Sequence, residues 1–165
     1  MENFMALAEQ IVVFRIRSAW HEMARLYNDM AAQYGGTLSN AFILLTINEK
    51  EGTPVTKIAP KMGMKPNSLS RILKSMEDQQ LIYRKKDQKD KRQVFICLTD
   101  LGRDMRRVAL EAVFELNDKL VKGLSKEQIA AFYDVMDQVP LAVDLMKQEL
   151  DEKKAAKAKK ALDQD

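Results

Sequence analysis

The sequence predicts a mainly α-helical protein with one small β-hairpin near its middle. Long stretches towards both ends repeat apolar residues at three- and four-residue steps, which is the period of an amphipathic helix. Residues 81–98 instead hold two short β-favouring runs with a basic stretch between them. Two helical segments separated by a glycine precede these runs. The predicted fold is therefore a winged helix-turn-helix core flanked by long N- and C-terminal helices.

Composition limits the class of protein before any motif is considered. A chain of 165 residues that is 46% hydrophobic can bury the core of one domain. Its single cysteine excludes an intrachain disulfide framework and favours a reducing compartment, so we expect a cytoplasmic protein. The N-terminal segment has no basic leader before an apolar core, and its longest apolar run is residues 11–14. We therefore expect neither a signal peptide nor a membrane span.

The net charge of +3 is unevenly distributed along the chain. Residues 54–107 hold 14 Lys/Arg and 6 Asp/Glu, which gives +8, whereas the rest holds 13 and 18, which gives −5. Basic charge concentrated on one segment is expected of a surface that contacts nucleic acid. The alternative interpretation is a chance asymmetry with a solvated basic hairpin.

The N-terminal segment predicts one long helix over residues 4–34, which Gly35 and Gly36 end. A helix of that length extends about 45 Å, which is longer than a small domain needs. We therefore expect residues 1–36 to be a dimerisation helix that packs against a partner chain.

Residues 37–99 contain the predicted helix-turn-helix and wing. Thr37 is a suitable N-cap for a helix over residues 38–48. The side chains of this helix that we expect to face inward are Phe42, Leu44 and Leu45. A short helix over about 56–62 follows, and Gly63 can supply the left-handed turn to the next helix.

The second helix of the helix-turn-helix, predicted over residues 66–79, has two unlike faces. The apolar face repeats at i, i+3, i+4 and i+7 through Leu69, Ile72, Leu73 and Met76. The opposite face has short polar and two basic side chains but no carboxylate: Asn67, Ser68, Ser70, Arg71, Lys74 and Ser75. A merely solvated face usually mixes both charge signs, so we predict that this face enters a DNA major groove.

The wing is predicted from two β-favouring runs, residues 81–84 and 94–98, whose apolar side chains alternate. The stretch between them, residues 85–93, holds five Lys/Arg and two Asp. Such a tip has nothing to bury and can contact a phosphate backbone.

These segments carry a family resemblance. Asp90-Lys91-Arg92, five residues and then Leu98-Thr99 resembles the D-x-R-x5-L-T wing signature of MarR-type winged-helix regulators. Leu101-Gly102-Arg103 continues the pattern in the manner of "LTEKGR", and Thr56-Lys57-Ile58-Ala59 is similar to the "T-x-x-L-A" opening of the first helix. Two positions depart from the family pattern. Pro60 lies inside the first helix, and Gln80 stands where the family usually has a glycine after the second helix.

The resemblance implies a homodimeric, sequence-specific DNA-binding regulator of transcription that acts as a repressor and is released by a small-molecule effector. Its partner would be double-stranded DNA with a pseudo-palindromic operator. The candidate DNA-contacting residues are Lys65, Asn67, Ser68, Ser70, Arg71, Lys74, Ser75, Lys86, Lys89, Asp90, Lys91 and Arg92. Arg71 is the candidate for a bidentate guanine contact. The resemblance implies that Arg92 enters the minor groove and that Asp90 orients it through a salt bridge.

The C-terminal third predicts two more helices. Thr99 or Asp100 caps one that Gly123 ends, and Ser125 opens the other as a capping box with Gln128. We expect residues 100–147 to be C-terminal dimerisation helices, and Pro140 to kink or interrupt the second of them. Residues 148–165 favour helix but have little to bury, so we expect a charged, frayed tail.

Catalytic and metal-binding patterns are absent from the sequence. One histidine, His21, and one cysteine, Cys97, cannot form a zinc site of the usual kinds, and no phosphate-binding glycine loop occurs. The sequence thus predicts a protein that is not an enzyme and needs no cofactor. Cys97 is either a redox sensor or, by preference, a plain strand residue.

Two interpretations remain open. Trp20, Tyr27 and Phe42 either line a pocket for a small aromatic or amphipathic effector or belong to the core. The winged helix could also be a protein-interaction adaptor without specific DNA binding, although its polar face has no aromatic or aliphatic anchor.

Overall fold

The computed structural model describes residues 4–87, 90 and 92–162, and within them the chain forms seven helices and three strands. In chain order these are α1 (Phe4–Ala8), α2 (Val12–Ala32), α3 (Leu38–Thr46), β1 (Thr53–Pro54), α4 (Val55–Lys61), α5 (Pro66–Asp78), β2 (Ile82–Lys86), β3 (Val94–Leu98), α6 (Asp100–Val121) and α7 (Lys126–Leu162). The predicted mainly α-helical fold with a small β-wing is confirmed. The chain divides into two compact units, one that ends at Leu116 and one that begins at Asn117.

The core of the first unit lies between the helix-turn-helix and the sheet. The three strands are antiparallel in the order β1-β3-β2, and Ile82 pairs with Leu98 at the base of the wing. The largest side chains with almost no exposure are Ile43, Ile47, Ile58, Leu69, Leu73, Met76, Ile96 and Leu98. This shared core fixes α5 against the wing because both elements contribute to it.

Strand β1 was not predicted from the sequence. Thr53 and Pro54 pair with Ile96 and Phe95 of β3. A Cβ at Gly52, which has φ +76°, would lie 2.6 Å from the sulfur of Cys97 and 2.7 Å from the carbonyl oxygen of Ile96. Glycine therefore permits the close approach of β1 to β3, and a strand of two residues is too short to show alternation.

The prediction of one helix over residues 4–34 is wrong, because the chain breaks between α1 and α2. Ile11 adopts an extended conformation, with φ −92° and ψ 122°. The guanidinium of Arg15 donates from Nε to the carbonyl oxygen of Glu9 at 2.7 Å. This contact satisfies a carbonyl that the break leaves free, and hydrophobic periodicity does not encode it.

Several predicted helix ends are confirmed. The hydroxyl of Thr37 accepts a hydrogen bond from the backbone N–H of Asn40 at 3.2 Å, as an N-cap should. Ser125 and Gln128 form the reciprocal capping box, with distances of 2.8 and 3.2 Å between backbone nitrogen and side-chain oxygen. A hydrogen bond from Ser125 also lowers the pKa of Glu127.

The second unit differs from prediction at its C-terminal end. Helix α7 continues without interruption through Pro140 and through the segment expected to fray, as far as Leu162. The alanine, lysine and glutamate residues of this segment have high helix propensity. Two ion pairs at i, i+3, Lys147 with Asp144 and Lys154 with Asp151, add to it. Among the described residues, no helix is long and apolar enough to cross a membrane.

Candidate nucleic-acid interface

Helix α5 presents its polar face to solvent because its apolar face is buried. Leu69, Leu73 and Met76 are at most 1% exposed. All six residues predicted on the opposite face are exposed: Asn67, Ser68, Ser70, Arg71, Lys74 and Ser75. Burial of the stripe therefore fixes which side of α5 is open to a ligand as large as DNA.

The N-terminus of α5 is also open. Lys65 occupies the N-cap position in an extended conformation, and no side chain caps the helix. Pro66 takes the first helical position, where its missing N–H has no intrahelical partner. The exposed Lys65 side chain and the positive end of the helix dipole together favour a phosphate.

The polar face differs in how far its side chains are already engaged. The hydroxyl of Ser70 donates to the carbonyl oxygen of Pro66 at 3.0 Å, so it can still accept but not donate. The hydroxyl of Ser75 accepts from the amide of Gln79 at 3.4 Å. Neither Arg71 nor Lys74 forms an ion pair with a residue that the structure describes. These two cations are therefore available to an external anion.

The wing places basic residues beside this helix. Arg84, Lys85 and Lys86 are exposed on β2. Lys89 and Lys91, predicted to meet phosphates, lie outside the described residues. The candidate site predicted from the sequence omits Arg84 and Lys85, although their place in a basic run indicates that they belong to it.

The backbone at the wing tip is shaped by Asp90. One carboxylate oxygen of Asp90 accepts a hydrogen bond from the backbone N–H of Arg92 at 3.0 Å. The backbone N–H of Asp90 in turn donates to the carboxylate of Asp87 at 3.0 Å. The resemblance implied a salt bridge from Asp90 to the Arg92 guanidinium, and the structure has this main-chain contact instead. Asp90 therefore sets the turn from which the exposed Arg92 projects.

A salt bridge joins α5 to the wing. The Arg84 Nε lies 2.9 Å from a carboxylate oxygen of Glu77. Glu77 is in the last turn of α5, and Arg84 is on β2. The pair therefore ties the end of the helix to the base of the wing and withdraws Glu77 from the exposed polar face.

Helix α5 ends at the position where the family pattern has glycine. Gln80 has φ +57°, so a residue with a Cβ occupies the left-handed conformation. The backbone N–H of Leu81 donates to the carbonyl oxygen of Met76, and that of Gln80 donates to Glu77, each at 2.9 Å. This is the hydrogen-bond pattern of a Schellman cap.

Thr99 connects this cap to α6. Its hydroxyl donates to the carbonyl oxygen of Gln80 at 2.6 Å and accepts from the backbone N–H of Gly102 at 2.9 Å. A Cβ at Gly102 would lie 1.9 Å from the carbonyl oxygen of Leu81. The Leu-Thr-x-x-Gly-Arg motif thus forms a joint, made of Gln80, Leu81, Thr99 and Gly102, between α5 and α6.

Cys97 lies on β3 beneath this region and is 7% exposed. It pairs across the sheet with Tyr83, and their proximity raises the pKa of Tyr83. The burial of Cys97 agrees with its interpretation as an ordinary strand residue, because a sensor thiol needs access to its oxidant.

A cavity of about 530 Å³ lies in the first unit among α2, α3, α6 and the residues after α5. Tyr27 and Phe42, two of the three candidates for an effector pocket, line this cavity, and partial burial raises the pKa of Tyr27. Trp20 does not line it but stacks on Phe42 with ring centroids 5.9 Å apart. Gln79 and Leu81 form part of its wall and were missed, because nothing in the sequence links the end of α5 to a cavity.

Comparisons with known proteins agree with the sequence motifs. The MarR family model matches residues 37–94. The transcriptional regulator TtmR of Methylorubrum extorquens is 32% identical over 93 residues, which is 56% of this chain and 48% of TtmR. The chain thus spans about half the length of that relative. The organic hydroperoxide resistance transcriptional regulator of Bacillus subtilis is 30% identical over 130 residues, which is 77% of this chain and 84% of the relative.

Solved structures share the fold. The S. aureus MepR–DNA complex matches with a TM-score of 0.73 at 22% identity, over 80% of this chain and 98% of that one. CouR of Rhodococcus jostii RHA1 bound to p-coumaroyl-CoA matches with a TM-score of 0.71 at 19% identity, over 80% and 93%. The family and its curated relatives are transcriptional regulators and not enzymes, as the sequence predicted. The chain belongs to the MarR family of winged-helix transcriptional regulators.

Proposed function

We propose that the chain forms a homodimeric, sequence-specific DNA-binding repressor that a small molecule releases from its operator. The observation that carries the proposal is the exposed face of α5. That face has two cations without an ion pair among the described residues, Arg71 and Lys74. Two carboxylates lie only at the C-terminal end of α5: Glu77 is bound to Arg84, and Asp78 is the last residue of the helix. A surface of this kind suits a DNA major groove better than a protein partner.

The candidate residues would divide into two roles. Arg71 would donate two hydrogen bonds to a guanine, while Asn67, Ser68, Ser70 and Ser75 read other base edges or meet phosphates. Lysines contribute affinity without sequence choice: Lys65, Lys74, Lys86, Lys89 and Lys91. Arg92 would enter the minor groove from the wing, where narrow A·T-rich segments have the strongest negative potential. We place such a regulator in the cytoplasm, because it must reach the DNA that it controls.

Exposed apolar side chains support a homodimer. Val13 and Trp20 on α2 are 69% and 43% exposed, and Phe132, Leu141 and Met146 on α7 are 58%, 62% and 70% exposed. Apolar surface on this scale is unusual for a monomer and is typical of an interface. A two-fold dimer would place two copies of α5 on the half-sites of a pseudo-palindromic operator.

The cavity supports release by an effector. Its wall includes Gln79 and Leu81, which follow directly on α5. A ligand that prefers one of two positions of the end of α5 would shift the helix towards that position. The shift would change the fit of α5 to the DNA groove. The CouR structure has a bound small molecule, p-coumaroyl-CoA.

A DNA-binding titration tests the proposal. Fragments from beside the chain's own gene would be titrated at two salt concentrations with the wild type and with Arg71→Ala. We expect steep weakening with salt and, for Arg71→Ala, a loss of about 1–3 kcal/mol confined to the preferred fragment. Arg25→Ala, which removes one exposed cation paired with Glu22 on α2, is the matched control. Absence of DNA binding even at low salt would favour the alternative interpretation, a protein-interaction adaptor.

Light scattering tests the dimer separately. We expect the mass of two chains at micromolar concentration. A monomer mass would contradict the homodimer while leaving single-site DNA binding possible, so the two parts of the proposal can fail independently.

A further inference from the structure

We propose that the cavity binds a positively charged amphiphile, with an apolar body inside and a cationic group at the carboxylates of α6. The inference rests on the proposed function because it names the ligand class of the effector site.

The cavity has the size and lining of a small-molecule site. Its volume of about 530 Å³ lies within the range of about 300–1,000 Å³ that is usual for ligand pockets. Most lining side chains are apolar, among them Met30, Leu44, Leu45, Met105, Val108 and Val113. Such a lining favours an apolar or aromatic body and gives most of the binding free energy through burial.

The charge around the cavity has one sign. Glu111 and Glu115 line it one helical turn apart on the same face of α6, and both are exposed. Among the described residues that line the cavity there is no lysine, arginine or histidine. An anionic ligand would therefore lose hydration without gaining a counter-charge from a lining residue, whereas a cation would meet carboxylates.

The remaining polar groups are neutral. Asn40 is 9% exposed, and its side-chain oxygen accepts from the hydroxyl of Thr37 at 2.9 Å. Tyr27 stays protonated near neutral pH, because burial raises its pKa further. Neither residue adds a charge, so Glu111 and Glu115 are the charged groups in the described lining of the cavity.

A matched pair of ions tests the sign of the ligand. Tetraphenylphosphonium and tetraphenylborate have nearly the same size and shape and carry opposite charges. Titration calorimetry on the full chain without DNA should give a dissociation constant at least about tenfold lower for the phosphonium, since each carboxylate attracts one ion and repels the other. Equal or tighter binding of the borate would overturn the inference.

Charge-removing variants test the residues. Glu111→Gln should reduce the preference for the phosphonium by about threefold, and Glu111→Gln with Glu115→Gln should nearly abolish it. Asp118→Asn removes the same charge from α6 at a position that does not line the cavity, and it should leave the preference unchanged. A double variant that keeps the full preference would show that other groups choose the ligand.

Two readouts test the location. Ala112→Phe, which fills the cavity, should abolish binding of both ions. If that variant does not fold, the fluorescence of the wild type provides the test. Trp20 is the only tryptophan and stacks on Phe42, which lines the cavity, so a bound ion should change the fluorescence of Trp20. Unchanged affinity in folded Ala112→Phe, or unchanged fluorescence where that variant is unfolded, would place the ions elsewhere.

The effect on DNA is measured separately. In the presence of the preferred fragment, the phosphonium should weaken DNA binding by about tenfold and the borate should not. Failure of DNA binding itself would refute the proposed function and leave the calorimetric result intact. Tight phosphonium binding without an effect on DNA would keep the ligand class and refute its role as effector.

Discussion

Gly102→Ala should destabilise the protein although alanine is the better helix former. The added Cβ would lie 1.9 Å from the carbonyl oxygen of Leu81 and 3.0 Å from its carbonyl carbon. Both atoms belong to the backbone of the joint, so no side-chain rotation can relieve the contact. The gap has to open by about 1 Å, which moves either the start of α6 or the cap of α5.

The magnitude follows from three contributions. Forcing an extra methyl group into a packed site costs about 1–3 kcal/mol. Movement of Gly102 also weakens the hydrogen bond from its backbone N–H to Thr99, which as a helix cap is worth about 1 kcal/mol. The higher helix propensity of alanine returns about 1 kcal/mol. We therefore expect a net loss of about 1–3 kcal/mol in the free energy of unfolding.

Urea denaturation followed by Trp20 fluorescence and by circular dichroism measures this loss. Gly36→Ala is the matched control, because a Cβ there meets only the carbonyl oxygen of Ala31 at an ordinary 3.5 Å. We expect Gly36→Ala to stay within about 0.5 kcal/mol of the wild type. If Gly102→Ala stays within the same range, the joint is not rigid and its proposed role in holding α5 is refuted.

Other predictions concern the cap of α5 and the wing. Gln80→Gly should raise the free energy of unfolding by about 0.5–1 kcal/mol, because relief of the left-handed strain exceeds the added chain entropy. A lower free energy of unfolding than that of the wild type, measured by urea denaturation, would contradict this. Lys89→Ala should weaken binding to all DNA fragments equally and reduce the salt slope by about one, and a sequence-selective loss would show that Lys89 reads bases. Arg92→Ala should cost about 1–3 kcal/mol of DNA binding and relax preference at the ends of the operator, as footprinting would show. Asp90→Ala should also weaken DNA binding, and its effect should not add to that of Arg92→Ala. Asp90→Asn keeps an acceptor for the backbone N–H of Arg92 and should bind DNA more tightly. Tighter binding by Asp90→Ala would instead show that Asp90 is an ordinary solvated carboxylate.

The sequence predicted α5 well because its structure is decided by local pattern. The stripe that begins at Leu69 has the period of a helix, Pro66 favours its first turn, and the same period assigns Arg71 to the solvent face. Exposure of the candidate residues follows from burial of the stripe. The contacts within that face, such as the hydroxyl of Ser70 on its own helix, depend on rotamers that no spacing determines.

Other features depend on contacts between distant residues. The break at Ile11 involves a contact between Arg15 and the carbonyl of Glu9, and the pattern of apolar residues continues across it. Strand β1 exists through pairing with β3, so two residues alone cannot predict it. The cavity collects side chains from α2, α3 and α6, and its acidic character is visible only when Glu111 and Glu115 are placed beside it.

The joint at Thr99 has a consequence for how such regulators diverge. It is built mainly from backbone groups, with one hydroxyl and one missing side chain, and none of its atoms lies on the exposed face of α5. If Asn67 and Arg71 contact bases as we propose, substitutions there would change which operator is recognised without disturbing the contacts that hold α5 in place. Gene duplication followed by drift on that face would yield new regulators at little risk to folding, whereas the positions of Thr99 and Gly102 leave almost no room for change.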